Sequence, residues 1–132
     1  MDIQPIGKIE ITNGRYYIVI DRQFSDGLLG IEGYSHIVVL YWLDKNDTPE
    51  KRKTLRVHPR GDHSNPLTGV FATRSPARPN PIALFTCELL AVEGERLEIG
   101  RIDAFDGSPV IDIKGYTGQD KAKSKTRFPA WL

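Results

Sequence analysis

Cysteine is nearly absent from this 132-residue chain, with Cys87 the single one. One thiol forms neither an internal disulfide nor a cysteine-based zinc site, so nothing points to secretion. No apolar run approaches the ~18 residues that a membrane span needs. The opening Met1-Asp2-Ile3-Gln4-Pro5 also lacks the basic segment of a secretory leader. Neither charge is in excess: 18 Lys and Arg against 17 Asp and Glu leave a net +1. That balance removes the simplest case for a nucleic-acid-coating protein. There is no GxGxxG, P-loop or GxSxG pattern, so dinucleotide, nucleoside-triphosphate and hydrolase readings have no motif behind them. Glycine and proline, by contrast, are plentiful at 12 and 9 residues. Many turns and few long helices are therefore expected. The length suits a single domain over residues 1–132, with roughly two thirds of the unfolded surface buried. The expectation is a small, soluble, cytoplasmic domain.

Periodicity predicts strands almost throughout. Lys8-Ile9-Glu10-Ile11 alternates with period two and leads to Asn13-Gly14, a strong hairpin signal. The return run, residues 16–20, is aromatic and β-branched. Residues 25–33 hold three glycines and fit a turn or short helix, whereas residues 37–43 read as a central strand. Residues 44–53 form a polar loop, 54–58 alternate again, and 59–68 are a long loop rich in breakers. Residues 70–72 read as a short strand. Residues 82–92 and 96–102 flank Glu93-Gly94-Glu95 as a second hairpin, and 109–114 add another strand. The basic tail, residues 119–127, is expected on the surface, with Phe128 and Trp131 available to pin it. No stretch holds a 3.6-residue period over three turns. Some seven short strands in one small domain predict an all-β fold, an antiparallel β-barrel or rolled sheet with long loops.

The least ordinary stretch is residues 69–84, GVFATRSPARPNPIAL. Pro76, Pro79 and Pro81 fall within six residues. Each fixes its own φ and pushes the preceding residue out of the helical region. Arg74 and Arg78 are four apart, yet no helix can carry them. The two guanidiniums and Asn80 are therefore expected on a stiff, extended backbone that lacks three amide donors. Such a segment loses little entropy on binding, which suits recognition of a carboxylate, a phosphate or a purine edge. It fits equally well a rigid turn whose arginines face water.

Residues 103–114, DAFDGSPVIDIK, hold the second group of interest. Asp106-Gly107 predicts a tight turn, and Asp112 and Lys114 share one strand face. Carboxylates here could serve a ligand hydroxyl, a cation or a proton in transit. Taken singly, they read as a turn former and half of a surface ion pair. His36 precedes the most apolar strand and reads first as a structural histidine. His58 and His63 have no third clear ligand nearby, so no metal site is expected. Cys87 is expected to be buried and inert.

Residues 69–84 closely resemble the signature of the TsaA-like family, typified by tRNA methyltransferase O. Three further blocks agree in order: Gly33-Tyr34-Ser35-His36-Ile37, Arg56-Val57-His58-Pro59, and residues 103–116, DAFDGSPVIDIKGY. The resemblance runs from about residue 28 to 116. It implies a single antiparallel β-barrel that binds S-adenosylmethionine, unlike the α/β methyltransferase fold, and a homodimer. It further implies a methyltransferase acting at N6 of threonylcarbamoyl-adenosine beside the tRNA anticodon. The implied cofactor residues are Asp44, Lys45, Arg74, Leu84, Asp103, Ala104, Phe105 and Asp106. The chemistry agrees, since a sulfonium and an ammonium attract carboxylates, and the methionine carboxylate suits an arginine. Arg78, Asn80 and Asp112 are expected to serve substrate or support the site. Asp103, Asp106, Asp112 and His36 are candidate bases, with no single catalytic residue selected.

The chain also departs from the family pattern. Members usually carry a Pro-Arg-Gln segment after the first strand that contributes to the cofactor site. Here Thr12-Asn13-Gly14 joins the first strand directly to the second, and Asp21-Arg22-Gln23 lies one strand too late. Ala77, Ala83 and Gly115 stand where His, Gly and Pro are usual. The C-terminal extension with which longer members grip tRNA is also expected to be missing. These departures open two alternatives, a small-molecule methyltransferase and a non-catalytic S-adenosylmethionine-binding module.

Overall fold

Asn13 and Gly14 both sit at positive φ, 52° and 73°. This is the turn geometry whose twist matches that of paired antiparallel strands. It joins β1 (Gly7–Thr12) to β2 (Arg15–Ile20), in register from Gly7 opposite Ile20 to Thr12 opposite Arg15. In this computed structural model, which describes residues 1–132, six further strands follow. They are β3 (His36–Trp42), β4 (Arg56–Val57), β5 (Thr68–Gly69), β6 (Ile82–Glu93), β7 (Arg96–Ile99) and β8 (Pro109–Gly115). By packing, the chain divides into two units. A barrel unit comprises Met1–Trp42 and Ile82–Tyr116, and a loop unit comprises Leu43–Pro81 and Thr117–Leu132.

In the barrel unit six strands close in the order β1-β2-β7-β6-β3-β8, with β8 pairing back onto β1. All pairings are antiparallel, and closure leaves no open sheet edge. The period-two pattern decides the core. Ile9, Ile18 and Leu97 lie opposite one another across β1, β2 and β7, and all three are fully buried. Ile37, Val39 and Tyr41 from β3 and Val110 from β8 are buried in the same core. Each such aliphatic side chain stabilises the fold by about 1.5–3 kcal/mol relative to exposure. The 12-residue β6 pairs with β3 and then with β7, and its register shifts between Leu89 and Ala91. A bulge of this kind bends a strand so that it serves two neighbours. The architecture is all-β, as the alternation predicts.

In the loop unit the elements are short, and several differ from expectation. The polar loop 44–53 contains a 3-10 turn, Asp44–Asn46, and one helical turn, Pro49–Arg52. Thr48 caps that turn by accepting from the Lys51 N–H at 3.2 Å, and Pro49 occupies its first position. Of the predicted strand 54–58, only Arg56–Val57 pairs, with Thr68–Gly69. Val70–Ala72 is a 3-10 turn rather than a strand. The reason is local: the Val70 carbonyl accepts both the Thr73 N–H (3.1 Å) and the Thr73 hydroxyl (2.9 Å), which closes the chain on itself. Residues 117–130 are exposed, as expected of the basic tail. Phe128 does not pin it, being 65% exposed, whereas Trp131 is half-buried. No helix is long and apolar enough to cross a membrane.

Candidate functional site

The proline loop is held together by one of its own arginines. Arg78, half-buried, donates from Nη1 to the carbonyls of Thr73 (3.2 Å) and Ser75 (3.1 Å) and from Nη2 to that of Val70 (2.9 Å). Proline has no amide hydrogen, so the side chain supplies donors to the Thr73 and Ser75 carbonyls, and at Val70 it joins the Thr73 N–H. Thr73 and Ser75 extend the framework: Thr73 Oγ1 accepts from the Ser75 N–H (3.1 Å), and Ser75 Oγ from the Ala77 N–H (3.2 Å). Arg52 is paired with Asp47 (Nε to Oδ1, 2.6 Å) and donates to the Pro79 carbonyl at 3.2 Å.

Arg74 is the guanidinium this framework leaves over. It is exposed and makes no hydrogen bond or ion pair within the chain. It lines a groove of about 830 Å³ together with Arg60, Phe71, Pro76 and Trp131. That volume lies within the ~300–1,000 Å³ usual for small-molecule sites. Asn80 is exposed further along the loop, and Asp44 and Lys45 lie on the exposed Asp44–Asn46 turn.

The remaining expected residues belong to the barrel unit. Leu84, on β6 opposite Leu40, is 46% exposed, Phe105 is 56% exposed and Ala104 is half-buried. The Tyr41 hydroxyl donates to the Asp103 carbonyl. Burial, and secondly the negative charge of Asp103, push the Tyr41 phenol above its ordinary pKa, so it remains a donor. Asp106 is a structural acceptor, its Oδ1 taking the Ile11 N–H at 2.8 Å. Gly107 follows at φ 87° and donates its N–H to the Ile9 carbonyl at 2.7 Å. Ser108 is buried and its Oγ accepts the Phe105 N–H at 3.2 Å. Asp112 divides its oxygens between Lys114 Nζ (2.8 Å) and the Ile113 N–H (2.9 Å). His36 is exposed, its Nδ1 2.8 Å from Ser35 Oγ. Among the four candidate bases, Asp103 is the one whose carboxylate has no hydrogen-bond partner.

Cys87 is buried, and burial pushes its thiol up to about 11, which keeps it protonated and unreactive at neutral pH. His58 is engaged through Nδ1 with the Asn65 carbonyl (2.8 Å), and its ring lies 4.4 Å from that of His63. Sequence reasoning missed Tyr41, Ser108 and Arg52. Alternation marks Tyr41 as inward-facing, but nothing in it signals a bond to a carbonyl 62 residues away. Tyr41→Phe is expected to lower stability by about 1 kcal/mol, the net worth of one hydrogen bond. Urea unfolding would show this as an earlier midpoint at unchanged slope.

A closed six-stranded antiparallel barrel, a proline-stiffened arginine loop and an Asp-Gly turn that ties β8 to β1 define a TsaA-like barrel protein. The chain belongs to the family of the tRNA-methyltransferase O N-terminal domain, which matches residues 3–120. It is 47% identical over 112 residues to a probable S-adenosyl-L-methionine-binding protein of Methanocaldococcus jannaschii, covering 85% of this chain and 89% of that one. It is 35% identical over 114 residues to the tRNA (adenine(37)-N6)-methyltransferase of Escherichia coli, covering 83% and 48% respectively. The crystal structure of TrmO from Pseudomonas aeruginosa matches with a TM-score of 0.74 at 26% identity, over 98% of this chain and 62% of that one. The chain thus spans about three fifths of the length of that solved protein.

Proposed function

We propose that the chain is an S-adenosylmethionine-dependent methyltransferase that acts at N6 of threonylcarbamoyl-adenosine in tRNA. In this reading residues 1–132 work as one TsaA-like domain in a cytoplasmic homodimer. The observation that carries it is Arg74, an exposed guanidinium without a partner, launched from a loop that Arg78 holds stiff beside a groove. Each unit, taken by itself, carries groups that suit part of the cofactor. In the loop unit Arg74 offers two parallel N–H groups for a carboxylate. Leu84 and Phe105 offer exposed apolar surface for an adenosyl group. Bound S-adenosylmethionine supplies an electrophilic methyl group on its sulfonium. The chain's part is to align the acceptor and collect a proton from it. Asp103 is the residue we assign to that proton, because Asp106, Asp112 and His36 already hold hydrogen bonds.

Calorimetry with S-adenosylmethionine and S-adenosylhomocysteine tests the reading, and no binding of either at millimolar ligand overturns it. Arg74→Ala is expected to weaken cofactor binding by about 1.5–3 kcal/mol, the scale of a charge-assisted hydrogen bond. That corresponds to roughly ten- to a hundredfold in affinity. Arg74→Lys should recover only part, since a point charge does not reproduce a two-pronged contact. Unliganded thermal stability should hardly change, because the side chain is exposed and bonds to nothing.

A second reading, the non-catalytic binding module, is favoured by the archaeal relative that is a probable S-adenosyl-L-methionine-binding protein. Methyl transfer to bulk tRNA lacking the modification separates the two. Binding without transfer to tRNA or to small molecules of an extract supports the module.

A further inference from the structure

The near-zero net charge conceals a separation. The loop unit carries 12 Lys and Arg against 5 Asp and Glu, net +7, while the barrel unit carries 6 against 12, net −6. Within the loop unit the few acids are largely occupied. Asp47 pairs with Arg52, Asp62 Oδ1 accepts from Ser64, and Asp120 Oδ2 accepts from the Thr117 N–H. Arg56, Arg60, Lys121, Lys123, Lys125 and Arg127 are all exposed, and none has an acidic partner. The same unit exposes two phenylalanines, Phe71 at 80% and Phe128 at 65%. Trp131, four residues beyond Arg127, lines the groove with Phe71 and Arg60, so the basic tail leads into that groove.

We propose that the loop unit is an RNA-docking surface. Lys121, Lys123, Lys125 and Arg127 take backbone phosphates, and Phe71 stacks on a base that is not paired in a helix. The identity of the RNA as tRNA rests on the function proposed above, whereas the surface itself rests on charge and exposure. Cations provide affinity for any polyanion, but exposed aromatic rings interleaved with them suit looped or single-stranded RNA, whose bases present open faces. A duplex offers no such face. A lipid surface would be met by an amphipathic helix, and the tail has only the three-residue turn Gly118–Asp120.

Fluorescence anisotropy with bulk tRNA, without cofactor, tests this between 50 and 200 mM salt. Wild-type affinity should fall by roughly a hundredfold across that range, as counterion release at several phosphates demands. A variant combining Lys121→Gln, Lys123→Gln, Lys125→Gln and Arg127→Gln should flatten the salt slope by about 3–4, one for each phosphate no longer neutralised. Lys8→Gln with Arg15→Gln, in the barrel unit, should leave binding unchanged. Phe71→Ala should weaken tRNA binding several-fold at unaltered slope and leave binding to a loop-free RNA duplex untouched. All these side chains are exposed, and a melting curve for each variant verifies folding. An unchanged slope in the tail variant overturns the proposal. Binding of anionic phospholipid vesicles or heparin as tight as that of tRNA, with no effect of Phe71→Ala, overturns it as well. Calorimetry with S-adenosylmethionine keeps the two readings apart. A chain that binds tRNA but not cofactor retains this surface and loses the methyltransferase reading, and one that binds cofactor but not tRNA keeps the cofactor site and loses this surface together with tRNA as the acceptor.

Discussion

Arg78→Ala is expected to lower the melting temperature by about 8–15 °C and to weaken cofactor binding at the same time. Its guanidinium donates to three carbonyls, those of Val70, Thr73 and Ser75. A hydrogen bond to a charged group contributes about 1.5–3 kcal/mol where water is excluded. Arg78 is only half-buried, so water replaces part of what is lost, and about 2–4 kcal/mol for the set is the expectation. For a domain of this size that corresponds to the stated shift in melting temperature. Alanine removes every donor at once. Arg78→Lys should fall in between, because one ammonium cannot span three carbonyls that a planar fork reaches. Affinity should suffer because Arg74 leaves the same backbone, and a looser loop loses more entropy when its side chain engages an anion. Scanning calorimetry and cofactor titration on one preparation check both halves. An unaltered melting temperature would show that the three hydrogen bonds do not hold the loop.

Gly7→Ala is expected to destabilise the barrel by about 3 kcal/mol, at the upper end of overpacking costs, because the obstacle is backbone. Gly7 is buried at the seam where β1 pairs with both β2 and β8, opposite Ile20 on one side and Val110 on the other. A methyl group there would lie inside contact distance of the Val19 carbonyl oxygen and 3.0 Å from Ile20 Cα. No rotamer relieves this, so β1 and β2 must part, and with them the closure to β8. Gly27→Ala is the control, since nothing lies within 4 Å of the added carbon and φ there is ordinary. It should be neutral or slightly stabilising, through the reduced freedom of the unfolded chain. Equal urea midpoints for the two variants would contradict the tight seam.

Much of the fold was readable beforehand because its signals are local. Period-two alternation in residues 8–11 and 16–20, with Asn13-Gly14 between them, specifies a hairpin whatever lies elsewhere. The failures were local competition of another kind. Residues 70–72 look like a strand by composition, yet Thr73 turns the chain back onto the Val70 carbonyl. Residues 54–58 alternate, but only Arg56–Val57 find a partner strand. The site was readable to a lesser degree. The proline spacing marked residues 74–81 as stiff, and the turn at Asp106-Gly107 was expected. Neither could show which side chains were already engaged.

Composition and order by themselves determined the all-β class, the turn positions, the stiffened arginine loop and the family. All of these depend on neighbours within a few residues or on a continuous motif. Tertiary structure decided the division of labour between chemically identical groups. Arg74 and Arg78 are both guanidiniums flanked by loop residues, and only the fold of residues 70–78 consumes one and leaves the other. Asp103, Asp106 and Asp112 are all carboxylates on one short segment. The Ile11 N–H and Lys114 engage two of them, and the third is left without a partner. Charge follows the same logic. A sum along the chain gives +1 because it ignores that residues 43–81 and 117–132 fold into one unit. Pairings and partitions between segments far apart in sequence are set by the closure of the core, which no local pattern encodes.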